Sequence, residues 1–146
     1  MKHLGSCGFA LIMLVFCSLA SCKKENLDGA WPPMEMDKDN ITISVAGGSD
    51  TIRLLNYPGW DLSGVSVRVN DTIVKRYPIW NGNDSVLYNM TGEWFSVRIP
   101  REAPQMLIVE CQENTKLDRR ELYVSVVFLD VCGAIHVYQS PFIAVH

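Results

Sequence analysis

In "MLIVECQENTKLDRRELYVSVVFL", residues 106–129, two apolar alternations flank a polar stretch. Leu107, Val109 and Cys111 recur at every second position in the first run, and Leu122, Val124, Val126 and Phe128 do so in the second. A period of two places each set on one face of an extended strand. These seven residues are the expected core.

The same texture continues on both sides. From Asn40 onward, short β-branched and aromatic runs are punctuated by Gly, Pro, Asn and Asp. They read as strands over 41–45, 50–56, 64–69, 72–77, 85–89, 95–99, 106–112, 120–129 and 134–139. Clusters such as "NYPG", "WNGND" and "REAP" supply the turns. No segment sustains helical spacing, and many short strands at these intervals predict an all-β antiparallel sandwich.

The N-terminus has a different character. Lys2 and His3 precede an apolar run from Phe9 to Leu19, which is short of the roughly 20 residues a membrane-spanning helix needs. Residues 1–21 therefore read as a cleaved signal peptide. Leu19, Ala20, Ser21 and Cys22 resemble a bacterial lipobox, which implies that the Cys22 thiol carries a diacylglyceryl group after cleavage. With several acyl chains at about 0.8 kcal/mol per buried methylene, that anchoring would be permanent. The alternative is an ordinary secretory signal with a cysteine near its cut site. Residues 22–39 mix charges, a Gly and a Pro pair without periodicity, and read as a tether to the lipid. The 17 residues after Cys22 could span at most roughly 55 Å. Trp31, an aromatic in this tether, either packs back on the domain, which is the expectation, or contacts lipid.

Cleavage before Cys22 would leave 125 residues, with 12 basic and 16 acidic side chains and a net charge of −4. That is one modest domain, residues 40–146, able to bury a core without metals. Mild acidity and the lack of any Lys or Arg run longer than two exclude a nucleic acid partner, whose backbone needs a clustered positive footprint.

"AGGSDTIRLLNYPGW", residues 46–60, resembles the opening of a BACON domain, a Bacteroidetes-associated carbohydrate-binding module. "EWFSV" at 93–97 is similar to that family's second Trp segment, "VECQENTKLDRR" to its strand and Asn-Thr turn, and "AIHVYQSP" to its last strand, ending at Gln139. The family's spacing is interrupted by 33 residues, 61–93, expected to add a hairpin and a long loop. The resemblance implies an immunoglobulin-like sandwich on a Gram-negative envelope, anchored at the outer membrane, with carbohydrate binding that does not hold for every member.

Catalytic chemistry is absent from the sequence. His3 leaves with the signal, His136 alternates within the last strand, and His146 is terminal. No spacing suits a metal, no Ser or Cys sits in a nucleophile motif, and no glycine-rich loop suits a phosphate or a cofactor. Glu110 and Glu113 flank a strand end as solvated carboxylates do, so the chain is not expected to be an enzyme. Cys111 and Cys132 are expected as two buried free thiols, because Cys132 falls about 9 residues, roughly 30 Å, along the strand from the end that Cys111 approaches.

Ligand candidates are aromatic. Trp60 and Trp94 are expected to pack the sandwich. Trp80, with Tyr77 and Tyr88 nearby, forms either a sugar-stacking platform or a plug under the inserted loop. Asp50-Thr51-Ile52, Asp71-Thr72-Ile73 and Asp84-Ser85-Val86 resemble an envelope O-glycosylation signal at Thr51, Thr72 and Ser85, or are simply strand starts. Asn-x-Ser/Thr sequons at Asn40, Asn70, Asn83 and Asn89 would matter only in a eukaryotic secretory pathway. Two functions remain open: a non-catalytic lipoprotein binding glycan or mucin-type carbohydrate, and a structural module docking onto another envelope protein.

Overall fold

The computed structural model describes residues 30–78 and 88–143; the signal segment, Cys22, Trp80, Ser85 and the Asn83 sequon lie outside them. Among the described residues the chain forms nine strands and no helix. They are β1 (Asn40–Ile43), β2 (Gly48–Arg53), β3 (Asp61–Val69), β4 (Thr72–Pro78), β5 (Asn89–Thr91), β6 (Phe95–Arg98), β7 (Met106–Cys111), β8 (Arg120–Phe128) and β9 (Val131–Gln139). One sheet has the order β1-β9-β8-β3-β4 and the other β2-β7-β6-β5. Neighbours are antiparallel except β1, which runs parallel to β9. This is an immunoglobulin-like β-sandwich, with β3, β8 and β9 at the heart of one sheet and β7 and β6 at that of the other.

The alternating residues form the core as expected. Leu107, Val109, Leu122, Val124 and Val126 have no exposed surface, and Cys111 is buried. Ile52 and Val97 in one sheet and Val65, Ile135 and Val137 in the other complete the interior. Each such side chain stabilises the fold by about 1.5–3 kcal/mol of transfer free energy. Phe128 is half-buried instead, because it lies at the sheet's end, where its ring packs 4.8 Å from that of Tyr57.

Four expectations change. The inserted segment does not merely decorate the sandwich: β3 pairs with β8 along its length and is an interior strand, with β4 folded back on it as the edge. The turn between them is Asn70-Asp71, both at positive φ, as a two-residue hairpin loop demands. The strand expected over 85–89 is placed at Asn89–Thr91, with 85–87 outside the described residues.

The tether also ends earlier than Asp39. Residues 31–39 form a strap against the domain. Met36 bridges Leu54, the Asp37 and Leu55 amides donate to Arg53 O and Glu35 O, and the Tyr57 hydroxyl donates to Pro32 O. Met34 and Met36 alternate inward and pack against the core, filling the space a side chain at Gly133 would need. Trp31 reaches the domain as expected, 6.4 Å from the Tyr57 ring and 6.5 Å from that of Phe128, but stays half exposed.

Cys132 differs as well. Both thiols are free, but only Cys111 is buried. The last strand begins at Val131, three residues earlier than the pattern suggests, and Cys132 emerges exposed opposite Val127. Burial pushes the Cys111 thiol up to about 11 against the opposing pull of Arg120.

Three polar devices hold the end of the sandwich opposite the strap. Gly47, at φ +86°, lets the chain pass the β7 terminus so closely that a Cβ would lie 2.7 Å from Cys111 O. Asn114, fully buried, donates through Nδ2 to Asp118 O and Ser140 O and accepts the Lys116 amide. Gln139, 1% exposed, donates to Ser44 O and Gln112 O across the two sheets. Each satisfies backbone carbonyls where strands turn over and no ladder partner exists.

Candidate functional site

The β3–β4 hairpin and the turn before β6 stand apart at the edge of the sandwich, and a groove of about 670 Å³ opens between them. Val67 and Val69 on β3 form its floor. One wall is β4, whose bulge at Val74 lets Lys75 and Tyr77 turn toward the groove. The facing wall carries Glu93 and Trp94, and the β7–β8 loop closes one end with Glu113, Lys116 and Asp118.

Its aromatic rings are fixed by packing. Trp94 is half-buried, edge-on to Phe95 at 5.3 Å, and its backbone carbonyl accepts the Gln112 amide at 2.8 Å. The Arg120 guanidinium lies 5.1 Å from the Trp94 ring centre and donates to Glu113 O, and partial burial lowers its pKa. Tyr77 packs edge-on to Phe95 at 5.6 Å, with the Lys75 ammonium 4.7 Å from its ring centre. Lys75 Nζ reaches within 4.0 Å of Glu93 Oε1 across the mouth. Tyr77 first, and Glu93 after it, raise the Lys75 pKa.

The groove thus offers two oriented rings among three cationic side chains (Lys75, Lys116, Arg120) and three carboxylates (Glu93, Glu113, Asp118). Among the described residues these charges balance. Its volume falls in the roughly 300–1,000 Å³ range of small-molecule sites. No histidine lines it, and no cluster of metal-ligating side chains occurs among the described residues.

Of the residues expected to bind ligand, Tyr77 lines the groove. Tyr88 lies apart at the start of β5 with the Arg101 guanidinium 5.3 Å from its ring centre, and Trp80 is outside the described residues. Trp60 is buried as expected, and Trp94 packs against the core on one side while its other side lines the groove. Nothing in the local sequence sets Trp94 apart, since its exposure follows from the splay of β4, a non-local feature. Thr51 is half-buried on β2, and the Asp50 carboxylate that precedes it accepts the Thr51 amide and holds Lys38 at 2.5 Å. Thr72 is exposed at the start of β4, and Ser85 lies outside the described residues.

A second polar cluster covers the outer face of the five-stranded sheet. His136 is stacked between Tyr123 and Tyr138, with centroids 3.9 and 3.8 Å away, and Arg68 caps Tyr123 at 4.8 Å. His136 Nε2 lies 3.1 Å from the buried Glu121 carboxylate, and Arg119 Nε approaches the other oxygen to 2.6 Å. That last approach is an ionic contact off the N–H direction, because neither atom makes a hydrogen bond of good angle. The cluster ties β3, β8 and β9 together.

No family model matches the chain, and no curated protein does. Among solved structures, the NMR structure of a protein from Bacteroides thetaiotaomicron is similar, at 20% identity and a TM-score of 0.60, covering 83% of this chain and 98% of that one. Murine CRIg aligns at 9% identity and a TM-score of 0.39 over 78% of this chain and 100% of that one. The first of these likenesses speaks for the fold alone.

Proposed function

We propose that the chain is a non-catalytic lipoprotein of the cell envelope, anchored through Cys22 to the outer membrane, that binds glycan in the groove between β4 and the β6 turn. What supports this reading is the pairing of Trp94 and Tyr77 with a charge-balanced set of polar side chains in one concavity. Sugars present apolar C–H faces that stack on such rings, while carboxylates, amides and cations hold their hydroxyls. The BACON-like order of motifs adds carbohydrate binding to the same expectation, and we propose the groove as its site, with Trp80 outside the described residues.

The test is a glycan array on the wild-type protein beside Trp94→Ala, Glu113→Gln and Lys116→Ala. Glu113 and Lys116 are exposed, so their variants leave packing intact. Binding that falls at least tenfold in these variants, with unchanged unfolding midpoints for Glu113→Gln and Lys116→Ala and a folded Trp94→Ala, supports the groove. A folded wild type that binds no glycan rejects it. The docking reading would then lead, favoured by Ile73 and Val74, which expose apolar surface on the β4 edge beside the groove.

A further inference from the structure

The end of the sandwich from which the strap departs carries an apolar surface that neither the core nor the groove uses. Trp31 is 52% exposed and Leu129 61%, and the Phe128 ring packs against those of Trp31 and Tyr57. Leu55, on the segment that hydrogen-bonds to the strap, is a third exposed apolar side chain at this end.

Leu129 is the most telling. It is the first of two residues in the tight turn joining β8 to β9, and its φ is +50°. Glycine is usual at such a position, and Asn or Asp is tolerated, because a Cβ strains the left-handed backbone. A branched, exposed leucine there costs both backbone strain and apolar hydration. Neither cost is offset by packing within the domain, so the side chain has its use outside it.

Only nine residue steps separate Trp31 from Cys22, a reach of at most roughly 30 Å when fully extended. If Cys22 is acylated, as the proposed function holds, this end is therefore confined near the lipid surface. Trp is the side chain that favours the boundary between headgroups and hydrocarbon.

We infer that the strap end of the sandwich, through Trp31, Phe128 and Leu129, seats on the bilayer and holds the groove away from it. The end of the groove formed by the β7–β8 loop lies beside Arg120, at the opposite end of β8 from Phe128. Eight residue steps along a strand make that separation roughly 26 Å. Seating the strap end thus points the ligand groove outward. Asp130 and Glu35 at this end oppose anionic headgroups, so the contact is apolar and insensitive to salt.

The experiment uses the full chain, acylated in a bacterial host and reconstituted into phosphatidylcholine vesicles with and without brominated acyl chains. Flotation reports the anchor. Trp31 fluorescence is isolated as the difference between wild type and Trp31→Phe. Seating predicts at least a twofold quenching of this component by brominated lipid, unchanged between low and high salt and reduced in Leu129→Asn, a change at an exposed turn that favours the native backbone. Protein that floats with an unquenched Trp31 overturns the seating and leaves the anchor standing. Protein that does not float overturns the anchor, and the inference with it.

Discussion

Replacing Asn114 by Ala should unfold the chain far more readily than any surface change. Its side chain makes three hydrogen bonds at 2.9, 3.0 and 3.2 Å, all inside the closed end of the sandwich. Each exchange is worth about 1 kcal/mol net, and removing one partner leaves buried groups unsatisfied at about 1–3 kcal/mol each, so the loss is about 3–4 kcal/mol. For a domain of total stability about 5–15 kcal/mol, this is a large share of the whole. At about 4 °C per kcal/mol the midpoint falls by at least about 12 °C. Asn114→Asp sharpens the test. A carboxylate cannot donate to Asp118 O and Ser140 O, so the variant is worst when ionised, and burial raises its folded pKa above the unfolded value near 3.9. Its deficit should therefore be small near pH 4 and grow toward pH 7. Urea unfolding followed by far-UV circular dichroism at both pH values measures this. A cost below about 1 kcal/mol for Asn114→Ala, with an unchanged denaturant slope, would refute the claim that this residue joins the β7–β8 loop to the C-terminal segment.

Three further outcomes follow from the same geometry. Gly47→Ala places a Cβ 2.7 Å from Cys111 O and should cost about 3 kcal/mol or more, whereas Gly48→Ala meets open space and should cost about 1–2 kcal/mol, the backbone strain alone; equal midpoints in thermal unfolding would contradict this. In native protein at pH 8, a thiol reagent should modify Cys132 rapidly and Cys111 only after denaturant is added, because the Cys111 thiol is buried with its pKa near 11; two fast thiols would place Cys111 wrongly. Asp50 is lowered chiefly by its hydrogen bond from Lys38, so the pair stabilises the strap above the unfolded pKa and is lost as pH falls through the lowered folded value. Both groups are about a third exposed, which limits the effect to a few tenths of a kcal/mol. Asp50→Asn should be slightly less stable than wild type at pH 7 and indistinguishable from it near pH 2.

What the sequence made legible was whatever a period of two can carry. The alternations in 106–111 and 122–126 located the core because both strands fully bury one apolar face and carry a mixed, partly exposed set of residues on the other. The tight β8–β9 turn was obscured because its positive φ falls on Leu129 rather than on a glycine, which delayed the expected start of the last strand and buried Cys132 on paper. The strap was obscured for a related reason. Met34 and Met36 do alternate inward, but the signal is two residues long and follows a Pro pair, so it reads as linker. The groove could not have been found locally at all. Its walls come from β3, β4, the turn before β6 and the β7–β8 loop, brought together by sheet pairing.

Several residues in the segments that the sequence alone likens to a BACON domain hold the fold together. Gly47, Trp60, Asn114 and Gln139 fall in the BACON-like segments, and each is buried or pinned against backbone. They close the sandwich. The groove draws on both parts of the chain: Trp94, Glu113, Lys116, Asp118 and Arg120 lie in those same segments, whereas Val67, Val69, Lys75 and Tyr77 lie in the 61–93 segment between them. Exchanging the 61–93 segment for a short turn would not settle the matter, because β3 is an interior strand and its loss opens the core. Point changes on the groove walls keep the sheet intact and isolate the binding question.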